Sequence, residues 1–150
     1  MIVPQTKSTL LNIALSPDGK WLAYSSNESG SVELYVTSFP DARAKSVVSR
    51  GGGGPEPRWS RDGRELFFKS GGRLNVVAVP PGPTFTPGNP QVLFPLAGYR
   101  WARNRPQDDV STDGQRFVMI RDRANAGGRG VVYVENWFNE LHVKVDGGER

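Results

Sequence analysis

The fold is decided by the stretch Ser16-Pro17-Asp18-Gly19-Lys20-Trp21-Leu22-Ala23-Tyr24, because the chain repeats its pattern twice. The second copy is Ser60-Arg61-Asp62-Gly63-Arg64-Glu65-Leu66-Phe67-Phe68, and the third is Ser111-Thr112-Asp113-Gly114-Gln115-Arg116-Phe117-Val118-Met119. The three windows align without a gap, 44 residues apart from Asp18 to Asp62 and 51 residues apart from Asp62 to Asp113. The chain is therefore built from a repeated unit of about 40–50 residues.

Each repeat predicts a tight turn followed by a buried strand. Serine and aspartate favour the first and third positions of a type I turn, and the closing glycine takes the positive φ that other residues avoid. We expect a three-residue hairpin loop with a bulge. The strand that follows is apolar on both faces, with Leu66 and Phe68 on one side and Phe67 on the other. Such a strand must be covered on both faces, as in a β-propeller blade between two neighbours.

The composition restricts the fold class and the chemistry. In 150 residues there are 18 glycines, 12 prolines and no cysteine, with a formal net charge of +4. So many glycines and prolines disfavour long helices, and the lack of thiols excludes disulfides, a cysteine nucleophile and cysteine-ligated metals. The length suits a single domain over residues 1–150. The sequence has no signal peptide and no apolar run long enough for a membrane helix, so the compartment stays open between periplasm and cytoplasm.

The predicted fold is all-β, a partial β-propeller of about three four-stranded blades with a short C-terminal helix. A second hairpin strand, a third strand and an outer strand follow in the first two units, whereas Asn136 is a candidate N-cap in the third. The units are residues 10–50, 56–95 and 108–136, with the helix over 137–145.

Three blades form an open arc, because propellers need at least four. An arc leaves the apolar flanks of its first and last blades uncovered. The chain is then a fragment of a longer propeller, or copies pair their open flanks, or the segment Val3 to Leu11 covers part of the gap. We favour a fragment or an arc completed by self-association.

The repeats resemble a known family. The block over 16–24 resembles the WD-repeat-like motif of TolB propellers, and residues 57–68 and the ending 134–141 are similar to a subgroup attached to bacterial serine/threonine kinases. The resemblance implies a propeller over nearly the whole chain. Thr112 departs from the family, which usually has proline there, and Asp108-Asp109 stand where it often has an aromatic residue. No kinase motif is present, so a kinase domain would lie outside this sequence.

Candidate catalytic groups are few. Asp18, Asp62 and Asp113 each sit in their own turn, where a carboxylate accepts backbone N–H groups, so we assign them to the turns and not to a metal site. His142 is the only histidine and no nucleophile elbow accompanies it, which excludes serine-hydrolase chemistry. The run Gly51 to Gly54 leads into a strand and not a helix, so we interpret it as a flexible connection between blades. We expect no enzyme activity, catalytic residue, metal or cofactor.

The candidate binding site is the segment between the second and third units. Interleaved arginines and aromatic residues bind acidic peptides, sugars or single-stranded nucleic acid by stacking and charge-assisted hydrogen bonds. An inter-blade loop with packed aromatic residues and solvated arginines has the same pattern. The candidate residues are Tyr99, Arg100, Trp101, Arg103 and Arg105.

We therefore expect a non-enzymatic propeller scaffold for protein–protein interaction or ligand sensing, within a larger propeller or a homo-oligomer. A protein or peptide is the expected partner, and neither nucleic acid nor a membrane is. The alternatives are an accessory propeller that gates the substrate of a hydrolase or lyase, and weak nucleic-acid binding through the arginine-rich loop. Because propellers serve many functions, the fold alone does not select among these.

Overall fold

The computed structural model describes residues 9–52, 56–99, 108–114, 116–122 and 129–135. All the regular structure in these residues is β, which confirms the predicted fold class. The predicted helix over 137–145 lies outside the described residues. The strands are β1 (Leu10–Leu15), β2 (Trp21–Ser26), β3 (Glu33–Ser38), β4 (Lys45–Val47), β5 (Arg58–Trp59), β6 (Glu65–Ser70), β7 (Arg73–Ala78), β8 (Gln91–Pro95), β9 (Asp108–Val110), β10 (Arg116–Asp122) and β11 (Arg129–Glu135).

The strands form separate antiparallel sheets, one for each sequence repeat. Strands β1 to β4 make a four-stranded sheet in chain order, and β5 to β8 make a second. Strands β9, β10 and β11 make a sheet that has three strands in the described residues. Contacts divide the chain into two compact units, Met1–Pro95 with the first two sheets and Leu96–Arg150 with the third. Leu10 and Leu11 pair with β2, and the amide of Thr9 donates to the side-chain oxygen of Asn27 (2.8 Å), while residues 3–8 lie outside the described residues.

The repeated turn closes each hairpin in the same way. The amide of Gly63 donates to the carbonyl of Ser60 (3.0 Å), the amide of Ser60 donates to the carbonyl of Glu65 (2.9 Å), and Gly63 has φ +71°. The positive φ confirms the expected glycine role. The expected three-residue loop was wrong: four residues separate the closing pair, because the Ser60 hydroxyl accepts the Glu65 amide (2.9 Å) in place of a backbone carbonyl. Asp62 in turn accepts from the Ser60 hydroxyl (2.7 Å) and from the Arg64 amide (3.1 Å).

The first two sheets pack face to face. Alternation along the strands directs one face of the first sheet and one face of the second into a shared apolar core. The buried residues of this core are Ala23, Leu34, Val36, Val48, Leu66, Phe68, Val77, Val79 and Phe85. The opposite face of β6 is buried as well, since Phe67 and Lys69 are both almost fully covered. The prediction of a strand covered on both faces is therefore confirmed for β6.

A loop residue completes this core. Phe85 lies between β7 and β8 in the chain and is buried, with its ring centroid 5.4 Å from that of Trp21 and 6.4 Å from that of Trp59. The indole N–H of Trp59 also donates to the carbonyl of Ala14 (3.1 Å), which joins the second sheet to β1 of the first. An aromatic cluster and a hydrogen bond thus hold the two sheets together.

The outward face of the first sheet carries exposed apolar residues beside two buried tyrosines, Tyr24 and Tyr35. Ile13 and Tyr24 are directly paired, as are Tyr35 and Val47, so these side chains share one face. Ile13 is 72% exposed, Leu15 48% and Val47 50%. We call Ile13, Leu15 and Val47 the first flank. In the third sheet Phe117 and Met119 are buried while Val118 is 41% exposed, so alternation presents an apolar residue on one face there too.

Candidate interaction sites

The predicted binding loop is described only at its first residue. Tyr99 is half-buried, and its amide donates to the carbonyl of Leu96 (3.0 Å). Arg100, Trp101, Arg103 and Arg105 lie outside the described residues. The site therefore stays a prediction.

The turn aspartates are held by their own turns. The hydrogen bond from the Ser60 hydroxyl lowers the pKa of Asp62, assisted by the Arg64 amide, and the equivalent bond from Ser16 lowers that of Asp18. Each carboxylate is therefore ionised at neutral pH and oriented by residues within the same turn. Among the residues that the structure describes, no group of three or more histidine, aspartate or glutamate side chains is arranged to hold a metal ion.

A groove of about 510 Å³ lies between the first two sheets, at the end opposite the Ser-x-Asp-Gly turns. Its volume is within the range of small-molecule and peptide sites. We call it the inter-sheet groove. Sequence reasoning missed it, because its walls come from segments that are distant in the chain. The described lining residues are Val47, Val48, Ser49, Arg50, Phe68, Ser70, Asn75, Pro87, Gly88, Asn89 and Pro90.

A buried carboxylate fixes the first wall of the inter-sheet groove. Glu33 accepts hydrogen bonds from the Ser49 hydroxyl (2.5 Å) and from the amides of Gly51 (3.1 Å) and Gly52 (2.9 Å). Burial raises the pKa of Glu33, but these bonds together with one from Ser31 outweigh it, so the pKa lies below its usual value. The interpretation of the run Gly51 to Gly54 as a flexible connection is wrong for Gly51 and Gly52, because both amides donate to the Glu33 carboxylate. Gly53 and Gly54 lie outside the described residues.

The floor and second wall of the groove are held by hydrogen bonds to backbone carbonyls. The side-chain amide of Asn75 donates to the carbonyls of Arg73 (3.0 Å) and Ser70 (3.3 Å). The amide of Gly88 donates to the carbonyl of Ala78 (2.9 Å), which fixes the proline-containing segment beside β7. The groove is thus built by ordered backbone on both sides, a condition for a pre-formed binding site.

Comparison with known proteins gives a fold and a family resemblance. No family model matches the chain. The Tol-Pal system protein TolB of Desulfotalea psychrophila is 41% identical over 62 residues, which are 38% of this chain and 14% of that protein. A TolB structure from Agrobacterium tumefaciens superposes with a TM-score of 0.56 at 17% identity, and covers 90% of this chain and 48% of its own. Oligogalacturonate lyase from Vibrio parahaemolyticus gives 0.58 at 14% identity, covering 90% and 43%.

The repeated antiparallel sheets and these superpositions define a β-propeller segment. The chain is thus similar in sequence to TolB over 62 residues and has the fold of a TolB propeller segment, as its repeats indicated. It spans less than half the length of either propeller structure. The attachment to a kinase domain stays a prediction.

Proposed function

We propose that this chain is a non-enzymatic propeller scaffold that binds a protein partner and completes its ring with a second copy of itself. The observation that carries the second part is the exposed first flank. Ile13, Leu15 and Val47 are large apolar residues on one face of a sheet, and exposed apolar patches of this kind mark interaction sites.

The internal repeat indicates what covers this flank. Aligning Ser16 with Ser60 makes Leu22 equivalent to Leu66 and Tyr24 equivalent to Phe68. Leu66 and Phe68 are buried against the first sheet. In the second repeat, the face that carries these positions packs on the preceding blade. We therefore propose that another blade of the same type packs on the first flank.

The third sheet supplies the complementary face. Val118 is equivalent to Phe67, on the face of the repeat that points to the following blade. We propose that in a two-fold assembly the first flank of each copy packs on the Val118 face of the other. Two copies together also have about the length of one such propeller structure, because one copy covers 48% of the first structure and 43% of the second.

Sedimentation velocity over a range of concentrations tests self-association. We expect the wild-type chain to form dimers and Ile13→Asp to form monomers, because burial of a charge in an apolar interface is strongly unfavourable. Ser29→Asp, which places the same charge at an exposed turn, is the control. A wild-type chain that stays monomeric at high micromolar concentration contradicts the proposal.

A protein partner is supported by the similarity to TolB of Desulfotalea psychrophila, a protein of the Tol-Pal system. We propose that the partner contacts the arginine and aromatic residues Tyr99, Arg100, Trp101, Arg103 and Arg105. Selection of binders from a displayed library of protein domains, repeated on the triple variant Arg100→Ala, Arg103→Ala, Arg105→Ala, tests this site. Binders that lose affinity for the triple variant support it, and binders unaffected by the triple variant refute the loop as the site.

A further inference from the structure

We propose that the inter-sheet groove binds an extended, acidic peptide segment of the partner protein. This inference rests on the proposed scaffold function and names the chemistry of the partner. It places the contact on the first two sheets, at residues that differ from those of the Tyr99–Arg105 loop.

The charge of the groove, which comes from Arg50, favours a ligand with a negative charge. Arg50 is the sole charged residue among the described lining residues, and it is exposed. Within the described part of the chain its guanidinium has no hydrogen bond or ion pair. The nearby carboxylate of Glu33 is occupied by the Ser49 hydroxyl and by backbone amides. An arginine without a protein partner is suited to a carboxylate, which it binds through paired charge-assisted hydrogen bonds.

The open edge of the first sheet, at β4, can bind a peptide whose backbone is extended. β4 is the terminal strand of its sheet, paired with β3 alone among the described residues. The amide of Val48 donates to the carbonyl of Leu34 (2.8 Å), so Val48 directs its backbone groups toward β3. By alternation, the N–H and C=O of Val47 point away from β3, toward the open edge. A peptide strand can add there by backbone hydrogen bonds, three residues before Arg50 in the chain.

The remaining surface suits a peptide better than a small acid. The Asn75 side-chain nitrogen is used by two backbone carbonyls, which leaves its oxygen as an acceptor for an N–H group. Val48, Phe68, Pro87 and Pro90 provide apolar surface around these polar groups. A carboxylate for Arg50, an N–H for Asn75 and aliphatic side chains for the apolar walls occur together in a short acidic peptide.

An array of immobilised short peptides tests the proposal. Each peptide consists of valine, threonine, leucine and proline with one aspartate, placed at each position in turn, and a matched array carries lysine instead. We expect the wild-type chain to bind a subset of the aspartate peptides and none of the lysine peptides. Arg50→Glu should weaken this binding by about tenfold or more, the loss of a charge-assisted hydrogen bond. Arg61→Glu is the control, because Arg61 is exposed in the Ser-x-Asp-Gly turn of the second sheet, at the end of that sheet opposite the groove.

The groove proposal is overturned by equal binding to the lysine array, by equal losses in the two arginine variants, or by no binding to either array. Competition by N-acetyl-aspartate as strong as that by the free peptide also overturns it, since it would show a site for a small acid. Library binders that depend on the loop arginines and not on Arg50 would refute the groove while leaving the scaffold function intact. A library that yields no binder at all would instead refute the scaffold function.

Discussion

Replacing Phe85 with alanine tests the packing between the first two sheets. The Phe85 ring is buried and contacts both Trp21 and Trp59, so its truncation removes two aromatic pairs and leaves a cavity. Loss of a buried phenylalanine side chain costs about 3–5 kcal/mol, of which each aromatic pair contributes about 0.5–1.5 kcal/mol. For a chain of this length we expect the melting temperature to fall by about 10 °C.

Urea unfolding followed by tryptophan fluorescence measures this change, because Trp21 and Trp59 report on the same cluster. Phe85→Leu keeps most of the apolar volume and removes only the aromatic pairs, so it should lower the free energy of unfolding by about a third as much as Phe85→Ala. Thr84→Ala, at the exposed neighbouring position, is the control. A free energy of unfolding for Phe85→Ala within about 0.5 kcal/mol of the wild-type value, typical of surface substitutions, would refute the packing described here.

Three further changes test the turns and the buried charges. Ser60→Ala should lower the free energy of unfolding by about 1–3 kcal/mol in urea titrations, because it leaves the Glu65 amide without its acceptor, whereas Arg61→Ala in the same turn should have no effect. Burial, followed by the charge of Asp62, raises the pKa of Glu65, so ionisation of Glu65 costs stability as pH rises through its folded-state pKa; Glu65→Gln should be more stable than wild type at pH 7 and equal to it at pH 3 in urea titrations. In the wild-type chain the Lys69 nitrogen lies 2.7 Å from the buried Glu56 carboxylate, so Lys69→Met leaves a buried charge without its partner and should lower the free energy of unfolding by about 3–5 kcal/mol. Adding Glu56→Gln should restore part of the loss. Equal stability of the single and double variants in urea titrations would contradict this expectation.

The fold could be predicted because the interactions that form each turn and strand lie within a single repeat. The serine, aspartate and glycine of each turn act on groups within a few residues, and Ser60 with Glu65 is an example. The continuous apolar run Leu66-Phe67-Phe68 in β6 predicted a strand covered on both faces, because successive side chains of a strand point to opposite sides. The four-residue loop was missed because the serine hydroxyl replaces a backbone acceptor, and propensity does not report that substitution.

The groove could not be predicted, because its parts meet only after two sheets pack. Glu33, Ser49 and Gly52 are brought together by the pairing of β3 with β4 and by the connection that follows, and no local spacing pattern marks a carboxylate for such a role. Phe85 stands in a proline-rich segment that has no strand periodicity, so its burial depends on the aromatic residues of two other strands. Arg50 differs from other exposed arginines because it lines the inter-sheet groove, and its position in the sequence gives no sign of this.

Site-specific cross-linking between two copies tests most directly whether the two open faces of the repeat array meet. The natural chain has no cysteine, so Ile13→Cys and Val118→Cys each provide one thiol. When the two variants are mixed and treated with a short bifunctional maleimide, we predict a covalent dimer containing one chain of each kind, and little dimer from either variant alone. A mixture that cross-links no better than a control mixture of Ser29→Cys and Thr112→Cys, both at exposed turns, would contradict the account.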